Sequence, residues 1–396
     1  MTDFSLIDDI VDTDENQESG TSDDFVIEFY GESELRWYQV AARNALAAEL
    51  EQGTKRVLIE LPTGAGKTLT IACSMSNPRI RAALGVTGNR KLRVLFVAHK
   101  HRLLSQAEKT FIDSSDVELI THSMFQRIPN SLIQDGWDVC VLDESHHEAC
   151  STFQFHLEQL GEMPIIGLTA TPDRADGCVI KFEAIINPIS REQAVAEGYL
   201  APTFLNSIID APSASKTEIT KMVIDKFGDD FGQTMMFFRT KKEVRDVTAY
   251  LVETGYKAVS ILDQSERELD ETLDGFSKGD YQFVVNCNKI NEGVDVKGCT
   301  DVYLGRAYGS YPQLNQVIGR AARPDSECRV WELINPLPGR NLDTTVVVGT
   351  PERHRLISKR KGEWVEHQFD YVSTVREFSE APSMSFGAAR RAARAA

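Results

Sequence analysis

The sequence predicts an α/β protein built from two parallel-sheet units. From residue 57 to 171, short apolar runs of strand length alternate with helical patterns, and the same alternation returns from residue 234. Near-continuous apolar runs such as Leu92–Ala98 are typical of strands that are buried on both faces of a parallel sheet. The length agrees, because 396 residues with 42% hydrophobic content can fill two cores.

Composition excludes several classes of protein. Residues 1–34 hold twelve carboxylates and no Lys or Arg, so most of the net charge of −16 lies there and the remaining chain stands at −4. The seven cysteines show no paired C-x-x-C spacing, which indicates neither a zinc site nor a disulfide framework and favours a reducing compartment. No run reaches the ~18 apolar residues that a membrane span requires. We therefore expect a soluble, cytoplasmic protein with no membrane partner.

The stretch Leu61–Thr68 has the composition of a phosphate-binding loop. It follows a strand-like run and precedes a helical pattern, so its glycines can turn successive backbone N–H groups towards a phosphate at a helix N-terminus. Lys67 would supply a positive charge to the β- and γ-phosphates, and the hydroxyl of Thr68 would ligate Mg²⁺. The predicted ATP-binding residues of this loop are Thr63, Gly64, Ala65, Gly66, Lys67 and Thr68.

Two adjacent acids, Asp143 and Glu144, end another apolar run. Such a pair is costly at the end of a buried strand unless a bound group uses it, and a Mg²⁺-nucleotide on the phosphate loop would do so. Asp143 would then hold the metal through water, and Glu144 would orient and deprotonate the attacking water. A zinc site made from His146, His147 and Cys150 is the alternative, but the chain offers no clear fourth ligand.

A third motif lies near residue 320. Gln316, Arg320 and Arg323 are spaced by four and three residues, which places them on one face of a helix. That face can present two guanidinium groups to a γ-phosphate held by the other unit and stabilise the charge that develops during phosphoryl transfer. The alternative is a helix with surface arginines.

In their order, these motifs resemble those of superfamily 2 helicases of the DExH type, over residues 35–335. Pro62–Thr68 resembles the P-loop of those proteins, although Leu61 stands where the general pattern has Gly, and Asp143–His146 resembles the DExH box. The resemblance implies two tandem RecA-like parallel-sheet domains with ATP in the interdomain cleft. Within the superfamily the chain is most similar to the restriction-helicase-like group, including phage DNA helicases.

The resemblance also implies roles for single residues. Gln39, in an Arg-x-Tyr-Gln sequence, would contact adenine, and Arg323 would be the arginine finger with Arg320 as its partner. The implied catalytic residues are Lys67, Asp143, Glu144, Arg320 and Arg323, and the further nucleotide-binding residues are Gln39, Gly293, Asp295 and Gln316.

Other motif positions would couple hydrolysis to strand handling or contact the nucleic acid. The implied coupling residues are His146, Thr169 and Thr171, and the two threonines could instead cap a turn. The implied contacts with the nucleic-acid backbone are His99, Lys100, Arg102, Thr121, Arg239 and Thr240. The cations at 99–102 could equally begin a solvated helix.

The expected domain organisation has five parts. They are an acidic, disordered tail at 1–33, a first RecA-like domain at 34–206, a linker at 207–217, a second RecA-like domain at 218–340 and a partly disordered extension at 341–396. The tail is either a solvating segment or a competitor of nucleic acid for a basic cleft. The basic stretch 353–361 favours a solvated helix face over a nucleic-acid contact.

The expected function is that of an ATP-dependent DNA helicase or translocase that unwinds or remodels DNA, including branched DNA. ATP and Mg²⁺ are the expected cofactors, DNA is favoured over RNA, and a monomer is the default. Backbone contacts would give weak sequence preference and strong salt dependence. The alternatives are an RNA helicase, a duplex-DNA translocating subunit of a restriction or repair complex, and an ATP-gated binding protein without hydrolysis. Roles in DNA repair or recombination are implied.

Overall fold

The computed structural model describes most of the chain between residues 28 and 367. The described residues are 28–98, 101–111, 115–123, 136–143, 160–170, 182–209, 214–287, 296, 298–308, 311–319, 321, 327–334, 342, 344–348, 351, 353–360 and 362–367. Of the tail that we expected to be disordered at 1–33, residues 1–27 lie outside this set, as do the last residues of the extension. For residues 28–33 the prediction was wrong, because Phe29–Tyr30 pairs with Ser33–Glu34 in a hairpin and Glu28 forms an ion pair with Arg43.

The first unit contains a six-stranded parallel sheet in the order β5-β4-β6-β7-β3-β8. Its strands, with the small β1-β2 hairpin that precedes them, are β1 (Phe29–Tyr30), β2 (Ser33–Glu34), β3 (Arg56–Glu60), β4 (Leu92–Ala98), β5 (Val117–Ser123), β6 (Val139–Asp143), β7 (Ile165–Thr169) and β8 (Ala184–Ile186). Its helices are α1 (Trp37–Glu51), α2 (Lys67–Met75), α3 (Pro78–Ala83), α4 (His101–Phe111) and α5 (Arg191–Ala196).

The second unit contains an eight-stranded sheet in the order β11-β12-β10-β13-β14-β9-β15-β16, which is parallel except at the β15-β16 pair. Its strands are β9 (Thr203–Ile209), β10 (Thr234–Phe237), β11 (Ala258–Ile261), β12 (Phe283–Asn286), β13 (Asp301–Leu304), β14 (Cys328–Ile334), β15 (Arg353–Arg360) and β16 (Glu363–His367). Its helices are α6 (Lys216–Phe227), α7 (Lys241–Glu253), α8 (Glu266–Lys278), α9 (Tyr311–Ile318) and α10 (Thr345–Val348).

Alternating residues of the strands fill a core on each face of both sheets. On β4, Val94 and Phe96 are fully buried against α1, α2 and α4, whereas Leu95 and Val97 face the opposite core with Trp137. Because both faces are covered, the strands read as continuous apolar runs, and the predicted strand at 92–98 is confirmed to the residue. Helices α6, α7 and α8 each begin with a capping box, in which a Ser or Thr and a Glu three residues later satisfy each other's backbone N–H groups.

The boundary between the units differs from the expected one. Strand β9 pairs with β14 on one side and β15 on the other, so the second sheet begins at Thr203 and the supposed linker at 207–217 contains strand residues up to Ile209. The partners of β9 come from more than a hundred residues downstream. Its sheet membership is therefore decided by non-local pairing, which a local pattern does not carry.

The basic stretch at 353–361 was wrongly predicted as a helix face. Residues 353–360 form β15, which pairs with β9 and β16 and extends the second sheet past the expected end at residue 340. Ile357 points into the core, the ring of Trp364 on β16 packs against Phe227, and Arg355 pairs with Glu366 across the hairpin. Arg353 also pairs with Glu366, and Lys359 lies over the ring of Trp364, so these three cations make contacts within the second unit.

Ending the chain after Thr350 should destabilise the second unit, because it removes β15 and β16, leaves the edge of β9 unpaired and takes Ile357 and Trp364 from the core. Loss of one large buried apolar side chain alone costs about 2–5 kcal/mol, so we expect a clear fall in the melting temperature. A chain that ends after Asp370 keeps both strands and should melt like the full chain. If both shortened chains have the same melting temperature, then β15 and β16 do not stabilise the rest of the second unit.

None of the helices described has the length and apolarity needed to cross a membrane.

Candidate active site

Three functional motifs meet at the carboxyl edge of the first sheet. β3, β7 and β6 are consecutive parallel neighbours, with Glu60 opposite Thr169 and Asp143 opposite Leu168. The backbone N–H of Leu61, where the phosphate loop begins, donates to the carbonyl of Thr169 (3.0 Å). The loop, the acid and the threonine that the sequence singled out are therefore brought to one edge, where ligands of α/β proteins bind.

The backbone of the loop has the conformation that a phosphate cradle requires. Gly64 and Gly66 have φ values of 90° and 85°, in the left-handed region that favours glycine. Gly66 is the N-cap of α2, so Lys67 and Thr68 occupy its first turn, where backbone N–H groups point outward and the helix dipole favours an anion. A Cβ on Gly66 would lie 2.7 Å from Nε2 of Gln39, so the glycine is required sterically as well.

The start of α1 holds the loop from behind. The hydroxyl of Tyr38 donates to the carbonyl of Ala65 (2.9 Å), and Nε2 of Gln39 donates to the same carbonyl (3.3 Å). Nη1 of Arg36 in turn donates to the Tyr38 hydroxyl (2.9 Å). Burial raises the pKa of Tyr38, and Arg36 offsets this only in part, so the hydroxyl stays protonated and donates.

Gln39 is almost fully buried, and its amide has two contacts with its own chain. Besides the bond to Ala65, its Oε1 accepts from the backbone N–H of Arg36, the N-cap residue of α1 (2.9 Å). An amide oxygen has a second lone pair and an amide nitrogen a second hydrogen. Gln39 therefore positions the phosphate loop through its bond to Ala65, and this leaves it able to bind adenine as well. The adenine contact itself stays a prediction.

The polar groups at this edge fit a magnesium nucleotide. Asp143 and Thr169 end their strands with 4% and 0% of their surface exposed, and Oγ1 of Thr63 is buried with no hydrogen-bond partner among the described residues. A buried hydroxyl without a partner is costly, and a phosphate oxygen or a metal-bound water would satisfy it. Glu144, His146 and Thr171 lie outside the described residues.

The second unit reaches this edge through the end of α9. A Cβ on Gly319 would lie 2.2 Å from Cγ2 and 2.8 Å from Cβ of Thr63, so the residue that precedes Arg320 lies against the phosphate loop. On the same helix Gln316 is 6% exposed. Arg320, Arg323, Gly293 and Asp295 lie outside the described residues, and their roles stay predictions.

The hydroxyls predicted to contact nucleic acid are engaged by carboxylates. Oγ1 of Thr121 donates to Oε1 of Glu108 (2.7 Å), and Oγ1 of Thr240, the N-cap of α7, donates to Oε2 of Glu243 (2.9 Å). A phosphate at either hydroxyl would meet a negative charge, so this geometry does not support the two contacts. Arg239 is exposed and Arg102 lies in α4, whereas His99 and Lys100 lie outside the described residues.

The sequence contains signals for some of the contacts described above. The Thr240-x-x-Glu243 spacing is that of a capping box, and Tyr38 and Gly319 both belong to the motifs that were singled out. Among the described residues, no group of three His, Cys, Asp or Glu side chains could hold a metal ion. These residues therefore give no support to a zinc site. His146, His147 and Cys150 lie outside them.

Comparison with protein families gives two matches that together cover half of the chain. Residues 32–123 match the family described as "Type III restriction enzyme, res subunit", and residues 216–325 match "Helicase conserved C-terminal domain". The first match includes the phosphate loop, and the second includes the whole Gln316–Arg323 motif. The Asp143–His146 motif lies between the two matched ranges.

Two curated relatives and one solved structure are similar over most of the chain. The type I restriction enzyme EcoAI endonuclease subunit of Escherichia coli is 24% identical over 434 residues, which cover 86% of this chain and 52% of that subunit. The DNA 3'-5' translocase XPB2 of Sulfurisphaera tokodaii is 24% identical over 378 residues, which cover 76% of this chain and 81% of that protein. The chain spans about half the length of two of its curated relatives, the EcoAI subunit among them.

The solved structure confirms the predicted fold class. A fragment of a candidate HsdR subunit of a type I restriction enzyme from Vibrio vulnificus YJ016 has a TM-score of 0.65 and 21% identity, and covers 83% of this chain and 70% of the fragment. At that identity the likeness concerns the fold, which is two RecA-like α/β domains in tandem.

Proposed function

Because the chain belongs to the superfamily 2 helicases of the restriction-helicase-like type, we propose that it is a DNA-dependent ATPase that moves along DNA and unwinds or remodels it. One observation carries the proposal. The glycine loop before α2, the buried Asp143 and the end of α9 from the second unit meet at one edge of the first sheet. With elements of both RecA-like units at this edge, a nucleotide bound there could contact both units at once.

The residues of the first unit would bind and orient the nucleotide. The loop backbone and Lys67 would hold the β- and γ-phosphates, while Thr68 and Asp143 would hold Mg²⁺, directly and through water. The metal, when bound, neutralises charge on the phosphates. Glu144, which follows Asp143, would accept the proton of the attacking water.

The second unit would contribute to the transition state. Arg320 and Arg323 follow the contact that Gly319 makes with Thr63, so their guanidinium groups would reach the γ-phosphate as the units close. Closure on ATP and reopening after hydrolysis would move the units along one strand. His146, Thr169 and Thr171 would couple the two events.

DNA is the proposed polymer because two relatives have names that concern DNA or restriction, the translocase XPB2 and the EcoAI subunit. The EcoAI subunit also supports a second candidate, in which this chain is a translocating subunit of a restriction or repair complex. Roles in DNA repair or recombination and a cytoplasmic location belong to the same proposal.

Steady-state ATP hydrolysis tests the proposal. The purified chain should hydrolyse ATP slowly alone and several-fold faster with single-stranded, duplex, forked or four-way DNA, with the branched forms strongest. Stimulation by RNA alone would move the chain to an RNA helicase, and stimulation by duplex DNA without strand separation would favour the translocating subunit. Absence of hydrolysis with every polymer would overturn the proposal for the isolated chain.

A further inference from the structure

Helix α5 is the last helix before the chain crosses from the first unit to the second. Ser190 caps it by accepting from the backbone N–H of Gln193 (3.1 Å), and Ala194 is fully buried in the core of the first unit. Seven residues after α5 ends, the chain enters β9 of the second sheet. No motif of the sequence analysis includes this segment.

The N-terminal end of α5 contacts the second unit through Arg191. Its Nε donates to the carbonyl of Val348 in α10 (3.2 Å), and its Nη2 donates to Oγ1 of Thr203 at the start of β9 (3.3 Å). Among the described residues, no carboxylate lies within ion-pair distance of Arg191, and burial lowers the pKa of its guanidinium. The planar fork of arginine can reach a carbonyl and a hydroxyl together, which a lysine amine does less well.

The C-terminal end of the same segment contacts the support of the phosphate loop. Glu197 accepts from Nε1 of Trp37 (2.6 Å), and the ring of Tyr199 packs edge-on against Tyr38, with 5.3 Å between centroids. The guanidinium of Arg36 lies 5.1 Å from the centroid of the Tyr199 ring. Tyr38 is the residue whose hydroxyl donates to Ala65 of the loop.

We propose that residues 190–203 form a strut that couples the conformation of the phosphate loop to the position of the second unit, with Arg191 as a positioning residue for hydrolysis. The strut is separate from the contact between Gly319 and Thr63. A shift of the Ala65 carbonyl passes through Tyr38 to Tyr199, and Arg191 transmits the movement of α5 to β9 and α10. The part of this inference that concerns hydrolysis rests on the proposed function.

Loosening the strut affects the turnover rate more than nucleotide binding. The loop residues bind the phosphates in the ground state, whereas the arginines of the second unit act as charge develops in the transition state. Loss of the contacts of Arg191 leaves the loop intact but lets the second unit approach with less restraint. The result is a lower kcat with little change in the affinity for ADP.

The variant Arg191→Met tests this, because methionine keeps the apolar stem and removes every donor. With saturating DNA we expect its kcat to fall roughly fivefold to tenfold while the Kd for ADP changes less than about twofold. The kcat of Arg191→Lys should lie between those of this variant and the parent.

The matched control is Arg93→Met, since Arg93 is half-buried, stacks on Trp137 (4.5 Å) and pairs with Glu118 (3.5 Å) inside the first unit. The control should lower the melting temperature and leave kcat unchanged.

Hydrogen exchange without nucleotide gives a readout that does not depend on hydrolysis. Arg191→Met should speed exchange in residues 190–203, in 344–348 and, through the far end of the strut, in 36–41. If the variant shows this pattern but the parent protein hydrolyses no ATP, the strut is supported and the proposed function is contradicted. Exchange changes that stop short of residues 36–41, or an unchanged kcat in an active enzyme, would overturn the strut.

Discussion

Replacing Lys67 with Ala should lower DNA-stimulated ATP hydrolysis by at least about a hundredfold, because it removes a positive charge aimed at phosphates whose charge shifts during transfer. The fold should survive. Lys67 is half-buried in the first turn of α2, and its side-chain ammonium forms no hydrogen bond or ion pair with another residue that the structure describes. Turnover with saturating DNA and far-UV circular dichroism measure the two halves of this expectation.

The matched control is Lys55→Ala. Lys55 precedes β3, at the end of the strand remote from the loop, and forms an exposed ion pair with Glu162. Exposed pairs contribute about 0–1 kcal/mol, so this variant should hydrolyse ATP like the parent and melt close to it. Parental activity in Lys67→Ala would show that the loop before α2 does not hold the nucleotide.

Replacing Gly319 with Ala should lower kcat by about tenfold or more, because Arg320 and Arg323, which we propose to act in the transition state, follow it in the chain and must approach the phosphates to be effective. The new Cβ would lie 2.2 Å from Cγ2 of Thr63, which no side chain tolerates without movement. Gly319 does not have a positive φ, and within its own unit the new Cβ would have one close contact, 3.0 Å from the carbonyl of Asn315, so each unit should still fold. The clash with Thr63 would instead keep α9 from approaching the phosphate loop as closely as it does in the parent.

A second substitution separates this steric effect from general damage. Thr63→Ser removes Cγ2, so adding it to Gly319→Ala should restore part of the lost kcat relative to Thr63→Ser alone. Gly275→Ala is the control within one unit, because its Cβ would meet the nearest atom, on Tyr281, at 3.1 Å. A parental kcat in Gly319→Ala would mean that the end of α9 need not press on the loop for turnover.

The elements that the sequence predicted well are those whose environment is uniform along the chain. Strand β4 is buried on both faces, so all of its residues except Arg93 are apolar, and its bounds could be predicted from the sequence. The alternation expected from residue 234 includes helix α7 (Lys241–Glu253), which has a capping box at its start and buried residues at helical spacing. Local chemistry determines such elements, and local chemistry is what a single sequence records.

The features that the sequence did not predict depend on partners far along the chain. The hydroxyl of Thr121 binds a glutamate thirteen residues before it, and Arg191 binds a carbonyl 157 residues after it. Similarity of a motif indicates which residue types occur at a site, but it does not say which neighbour takes each hydrogen bond. The motifs could therefore suggest Lys67 and Asp143 as candidate catalytic residues, whereas the contacts of Arg191 could not be predicted from them.

The position of β9 has a consequence for the synthesis of the chain. β9 lies inside the second sheet, yet both of its neighbours, β14 and β15, are translated well after it. At about 5–20 residues per second, the ribosome needs on the order of ten seconds to add the residues between β9 and β14. For that time the nascent chain carries a folded first unit followed by an apolar strand with both edges open. Aggregation during expression should therefore originate at 203–209, and slower synthesis or a bound chaperone would act there.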